Sequence, residues 1–259
     1  MSITPDHIKQ KKGKQKIIAL TAYDYSFAKL LDSAGVDIIL IGDSVGMVCC
    51  GDKDTKSVTI EQMVYHTRAV ARGVKKALVV GDMPIGTYET AESAIQNAQK
   101  LLDAGAQAVK IEEFPGVLPS VEALVKKGIP VMGHVGLTPQ TAQAFKVQGK
   151  DNETAEKIMS DASALSEVGV FSIVLECIPT PLAALITKTV AAPTIGIGAG
   201  SSCDGQILVS YDLLGMFPDF RPKFVRQFFH GDEVIKRAVE AFRQAIETGN
   251  FPSHDESFS

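Results

Sequence analysis

The chain contains no tryptophan and only four cysteines in 259 residues. The cysteines are Cys49, Cys50, Cys177 and Cys203. No two stand in C-x-x-C spacing, which excludes a zinc knuckle and a dithiol redox motif. So few in a chain this long make no disulfide scaffold and point to a reducing compartment. No stretch approaches the roughly 20 apolar residues that a membrane-crossing helix needs. Residues 1–16 lack the apolar centre of a secretory leader. Lys9, Lys11, Lys12, Lys14 and Lys16 cluster there instead, as a solvated helix end or as a phosphate or partner contact. An excess of positive charge is also missing. Lys plus Arg number 26 against 30 Asp plus Glu, for a net charge of −4. That balance argues against a nucleic-acid-binding surface. There is no linker and no shift in composition, so residues 1–259 read as one domain with a loose polar tail from Phe251 to Ser259.

What is present is a rhythm of short apolar runs and amphipathic segments. The runs are Ile17–Thr21, Asp37–Ile41, Ala77–Val80, Ala108–Ile111, Pro130–Gly133, Ser172–Leu175 and Pro193–Ile197, with a weaker eighth at Lys223–Arg226. Most lack polar alternation, as expected of parallel strands covered by helices on both sides. Between them the pattern predicts helices over Tyr25–Ala34, Thr59–Arg72, Thr90–Ala104, Pro119–Lys127, Glu153–Val168, Thr180–Val190 and Asp232–Thr248. Thr59 with Gln62 three residues on is a capping box. Pro181 stands in the first turn of its helix, where its missing N–H costs nothing. Eight such units in about 250 residues make the α/β class and a (β/α)8 TIM barrel the expected fold. A doubly wound open sheet is the alternative. Thr4–Gly13 reads as an extra N-terminal helix that plugs the barrel's N-terminal end.

A barrel of this kind carries its active site at the C-terminal ends of its strands. Five successive runs end in ionisable residues: Asp43 after Gly42, Asp82 after Gly81, Lys110 and Glu112, His134, and Glu176. Burying unpaired carboxylates is costly, so four acids at one mouth need something positive among them. A donor set of carboxylate oxygens without thiolate suits Mg²⁺, which is usually held by one or two carboxylates with water and substrate completing the shell. Asp43 and Asp82 are the leading ligands, and Glu112 follows, directly or through water. Each acid taken alone also reads as a helix cap. Lys110 and Glu112 share one side of their strand, since side chains alternate. An inward Lys110 serves an anionic group, whereas an outward one snorkels between helices. Ser44 is placed to hold a carboxylate or to cap a turn. Glu176 closes an apolar run and suits a general base. His134 either bonds substrate or orients a neighbour, and His66 reads as packing. The glycine-rich stretch Gly196–Ser202 suits either a phosphate cradle or a close approach of chain segments.

Long segments carry a resemblance. They are LTAYDYSFAKLLDSAGVD (20–37), ILIGDSVGMV (39–48), MVYHTRAVARG (63–73), VVGDMP (79–84), GHVGLTPQ (133–140), IVLECIP (173–179) and IGIGAGSSCDGQILVSYDLLGMF (195–217). In order and spacing they resemble the ketopantoate hydroxymethyltransferase family, nearly end to end. The resemblance implies a barrel of the phosphoenolpyruvate mutase/isocitrate lyase group. It implies transfer of a hydroxymethyl group from 5,10-methylenetetrahydrofolate to 3-methyl-2-oxobutanoate, giving 2-dehydropantoate in pantothenate biosynthesis. The family's metal acids correspond to Asp43, Asp82 and Glu112, and its keto-acid contacts to Asp43, Ser44, Asp82 and Lys110. Its base corresponds to Glu176. Mg²⁺ and the folate co-substrate are the implied cofactors. A cytoplasmic homo-oligomer, commonly a homodecamer, is the implied assembly, with small-molecule substrates and neither nucleic acid nor membrane as partner. Two stretches depart from the family pattern. Glu113-Phe114 stand where the family has glycines, and Cys49–Ser57 differs from the usual loop. A lyase or phosphomutase of the same group and a barrel that only binds ligand are competing readings. The K-K-C-G-H motif of isocitrate lyases is absent.

Overall fold

The computed structural model describes residues 2–112, 115–141, 146–218 and 221–258. Glu113-Phe114 lie outside the described residues. Where the sequence reads as one domain, contacts separate two compact units, Met1–Val209 and Ser210–Ser259.

The first unit opens with α1 (Pro5–Gln10), β1 (Ile17–Thr21), α2 (Tyr25–Ser33) and β2 (Ile38–Ile41). It continues with α3 (Val45–Val48), α4 (Ile60–Gly73), β3 (Leu78–Asp82), α5 (Ala91–Asp103) and β4 (Ala108–Glu112). Then come α6 (Leu118–Lys126), β5 (Val131–Gly136), α7 (Asn152–Val168), β6 (Ser172–Glu176), α8 (Thr180–Thr189), β7 (Thr194–Ile197) and β8 (Gly205–Leu208). The strands close in sequence order into a barrel of parallel neighbours, with β8 returning to β1. The fold is the expected (β/α)8 TIM barrel with an extra N-terminal helix.

Local sequence explains the helix starts. Thr59 accepts from the Gln62 N–H while the Gln62 side chain accepts from the Thr59 N–H at 2.8 Å, the reciprocal box that satisfies two orphan donors. Thr90 with Ser93 and Thr4 with His7 do the same for α5 and α1. The plug is also as expected. Ile8 of α1 is fully buried and packs with Ile17, Ile38, Leu78, Met132, Phe171 and Ile195 in the barrel's core.

The eighth strand is a correction. Lys223–Arg226 is not a strand, and Lys223-Phe224 form a turn in the second unit. The strand is Gly205–Leu208, pairing with β7 and β1. Its central positions carry Gln206 between Gly205 and Ile207, too polar to stand out as a covered strand. No helix separates it from β7. The glycine-rich loop over 198–204 joins the two strands directly. A Cβ on Gly196 would stand 2.9 Å from Cys203 Sγ, and one on Gly200 would meet the Thr180 side chain. These glycines serve close approach of chain segments.

The second unit holds α9 (Ser210–Leu213), α10 (Gly231–Glu247) and a 3₁₀ turn at His254–Glu256. One stripe of α10 carries Ile235, Val239, Phe242 and Ile246, all exposed. No helix among the described residues is long and apolar enough to cross a membrane.

Two carboxylates tie loops at the strands' N-terminal side. Asp32 accepts from the N–H groups of Lys75, Lys76 and Ala77 at 3.1, 2.9 and 2.8 Å. Asp204 accepts from the N–H groups of Thr194 and Gly13 and from Lys12. Burial opposes ionisation of each, but these donors outweigh it and hold both below the ordinary carboxylate value. Such groups contribute stability above pH 3.8, lost as pH falls through their lowered folded values. Asp32→Asn should cost about 1–3 kcal/mol at pH 7. Urea midpoints should show that gap narrowing towards pH 2. A gap independent of pH would contradict the ionised-acceptor assignment.

Candidate active site

Alternation along the strands decides which side chains reach the mouth. Leu78 and Val80 of β3 lie in the barrel core, as do Ala108 of β4, Met132 of β5 and Val174 of β6. Asp82, Lys110, Glu112, His134 and Glu176 share their parity and therefore face inward. Lys110 is thus not a snorkelling residue. The register sets them side by side: Asp82 pairs with Lys110, Glu112 with His134, and Gly136 with Glu176. Asp43 and Ser44 join from the turn after β2.

At the centre Lys110 Nζ donates to both oxygens of Asp82, at 2.9 and 2.8 Å, and lies 3.7 Å from Glu112. Both side chains are almost fully buried. The backbone N–H of Asp43 makes a long contact, 3.4 Å, to Asp82 Oδ2. Glu112 turns to the other side. Its Oε1 is 3.5 Å from His134 Nδ1 and its Oε2 accepts from the backbone N–H of Gln140 at 3.0 Å. His134 Nε2 in turn lies 3.3 Å from Glu176 Oε2. Both ring nitrogens therefore face carboxylates, at ion-pair distance but off the line of a good hydrogen bond. That arrangement sets His134 between the two acids. Glu176 keeps 14% of its side chain exposed, the most open of the acids in these ion pairs.

The electrostatics follow from burial and charge count. Burial pushes Asp43 up to about 8, and Asp82 and Glu112 add to the push against Lys110 and Gln140. Burial also raises Asp82, although Lys110 opposes it. Burial would strip the proton from Lys110, but Asp82, Glu112 and Asp43 outweigh it and hold the ammonium above its ordinary value. Burial and Lys110 oppose the charge on His134, yet Glu112 and Glu176 bring it up to about 9. Glu112 is lowered despite burial, chiefly by Lys110 and His134. Four acids thus share one ammonium and one imidazole.

Asp43 and Asp82, neighbouring buried acids short of positive charge, fit the one or two carboxylates with which Mg²⁺ is usually held. The three expected ligands do not form one group. Among the described residues no three His, Cys, Asp or Glu side chains are clustered to hold a metal ion. Glu112 is committed to Lys110, His134 and Gln140.

Three participants escaped the sequence reading. Tyr23 shares a 2.8 Å hydrogen bond with Ser44, and its carbonyl bonds His66 Nδ1 at 2.7 Å, so His66 braces the site's edge. Gln140 bonds Asp43, and Tyr88 bonds Gln140. Neutral polar side chains carry no charge signal. Gln140 does close the GHVGLTPQ segment beyond a strand end, which is the one hint available.

The closed parallel barrel with an acid-lined C-terminal mouth defines the chain as an α/β-barrel protein. Solved structures agree on the fold. A phosphoenolpyruvate phosphomutase from Streptomyces platensis superposes with TM-score 0.64 at 13% identity, over 95% of this chain and 88% of that one. A phosphonopyruvate hydrolase gives 0.64 at 16% identity, over 99% and 92%. A 2,3-dimethylmalate lyase, described as a member of that superfamily, gives 0.60 at 16%, over 95% and 87%. Sequence narrows the class. The family described as ketopantoate hydroxymethyltransferase matches residues 2–254. The 3-methyl-2-oxobutanoate hydroxymethyltransferase of Clostridium novyi is 52% identical, covering 96% of this chain and 93% of the relative. That of Enterococcus faecalis is 50% identical over 96% and 92%. The chain belongs to the ketopantoate hydroxymethyltransferase family, a family of transferases.

The backbone around Glu176 is tightly set. Cys177, directly after Glu176, has φ +48°, a left-handed conformation unusual for a side-chain-bearing residue. Gly136 has φ +99°, and a Cβ there would run into the Glu176 carbonyl oxygen. Gly136→Ala should therefore cost about 1–3 kcal/mol and lower turnover by displacing Glu176. Denaturation midpoints and rates test this. Wild-type values in both would show that the end of β6 yields freely.

Proposed function

We propose that the protein transfers a hydroxymethyl group to 3-methyl-2-oxobutanoate, giving 2-dehydropantoate, with 5,10-methylenetetrahydrofolate as donor. The observation that carries this reading is the inward convergence of Asp82, Lys110, Glu112, His134 and Glu176 from four neighbouring strands. Asp43 and Asp82 would hold Mg²⁺, with Glu112 reaching it through water. Bound there, the ion supplies Lewis acidity that lowers the energy of the substrate's enolate.

The chain's own residues do the rest. Lys110 and Ser44 hold the keto acid's carboxylate, Ser44 being oriented by Tyr23. Glu176 removes the proton from carbon 3, and the electrons of that bond pass into the enolate. His134, bridging Glu112 and Glu176, keeps the base aimed inward. The nucleophilic carbon bonds to the donor's methylene carbon as one of that carbon's two carbon–nitrogen bonds breaks. Water oxygen then bonds to it as the second breaks, and the two freed nitrogens take the proton from carbon 3 and one from water. Glu176 needs its partial opening to exchange its proton after each turnover.

The decisive experiment is proton NMR of 3-methyl-2-oxobutanoate in D₂O with the protein, with and without Mg²⁺ and the folate donor. Metal-dependent loss of the carbon-3 proton signal, and product with donor present, are expected. Full activity in excess EDTA would refute the metal-assisted enolate. Glu176→Gln should cut turnover about 10²–10⁴-fold, the range for a lost general base. Near-normal turnover would remove Glu176 from that role.

We also propose a cytoplasmic location and self-association as a homodecamer. Cysteines outside disulfides fit a reducing compartment. The exposed apolar stripe of α10 supports assembly, since contiguous exposed apolar surface marks interaction sites. Sedimentation velocity should show a large oligomer, and a monomer at micromolar concentration would overturn it.

A further inference from the structure

Asp82 and Asp43 are held in different ways. Asp82 ends a strand, and its carboxylate is gripped on both oxygens by Lys110. Asp43 sits in the turn between β2 and α3, with no such partner on a neighbouring strand. Among the described residues, the hydrogen bond that its carboxylate accepts comes from Gln140 Nε2, at 3.0 Å to Oδ2. A carboxylate on an irregular turn would otherwise rotate about its own side-chain bonds, and a cation needs its ligand atoms held in place.

Gln140 is built for that task. It lies beyond β5, 97 residues along the chain from Asp43, and is 1% exposed. Its side-chain amide and its main-chain N–H are all bonded. Nε2 donates to Asp43 and also to the Met83 carbonyl oxygen at 3.1 Å. Oε1 accepts from the Tyr88 hydroxyl at 2.7 Å. Its main-chain N–H donates to Glu112 at 3.0 Å. These contacts fix which end of the amide faces the acid. A carbonyl oxygen only accepts, so Met83 selects the amide nitrogen, and Tyr88 holds the oxygen away. The residue type matters as well. An amide braces Asp43 without adding charge. A lysine there would compete with a cation, and a glutamate would repel Asp43.

We propose that Gln140 is a positioning residue. It holds Asp43 through Oδ2, leaves Oδ1 for the cation, and ties Glu112 into the same frame, with Tyr88 setting the polarity of its amide. The proposal rests on the reading of Asp43 and Asp82 as cation ligands.

The test uses Mn²⁺ as probe, followed by loss of the free-ion paramagnetic resonance signal, on the full chain and two variants. Gln140→Met keeps the volume and the main-chain bond to Glu112 but removes the amide. Tyr88→Phe removes only the hydroxyl that orients it. Wild type should bind Mn²⁺. Gln140→Met should bind about ten- to a hundred-fold more weakly, the worth of a hydrogen bond to a charged group. Tyr88→Phe should weaken binding less, in the same direction, with thermal midpoints of both near wild type. Unchanged or tighter binding by Gln140→Met overturns the proposal. So does a weakening that merely follows loss of fold in both variants. Wild type that fails to bind Mn²⁺ overturns the cation reading itself, and is thereby told apart from failure of the brace.

Discussion

The buried ion pair between Lys110 and Asp82 is the interaction on which the site depends. An ammonium and a carboxylate cannot leave water without each other, and removing one partner would strand a charge in the barrel. The same ammonium lies within ion-pair reach of Glu112 and favours the charged forms of Asp43, Asp82 and Glu112. Without it Asp43, Asp82 and Glu112 could not be brought together. With it they remain short of positive charge, a deficit of the kind that a divalent cation fills.

The barrel makes this crowding possible through geometry. Parallel strands of one tilt bring every second side chain inward, so the apolar interior layer continues upward into the polar one. Ala108, Lys110 and Glu112 follow one another along a single face of β4. The helix at the N-terminal end closes the opposite opening with Ile8 and keeps the apolar layer dry. His134 then carries the network sideways to Glu176. Asp43, Asp82, Lys110 and Glu112 are parts of one electrostatic unit.

Much of this was legible from the sequence. Seven of eight strands stand out because covered parallel strands are continuous apolar runs. Asp43, Asp82, Lys110, Glu112, His134 and Glu176 stand out because charge at the end of such a run demands compensation. The eighth strand did not, because Gly205-Gln206 interrupt its pattern and the usual helix before it is missing. Gln140, Tyr23 and Tyr88 did not, because neutral hydrogen-bonding groups are common in loops and turns. Their roles arise from partners far away in the chain.

The sequence by itself determined the barrel, which residues share a side of each strand, and the set of charged groups at the strand ends. Alternation and hydrophobic runs are local properties, and they were enough. Only the tertiary structure decided how those charges are divided. It gave Asp82 to Lys110, turned Glu112 towards His134, set His134 against Glu176, and brought Gln140 to Asp43. Distances of a few ångströms between residues far apart in the chain govern electrostatics and hydrogen bonding, and no local pattern encodes them.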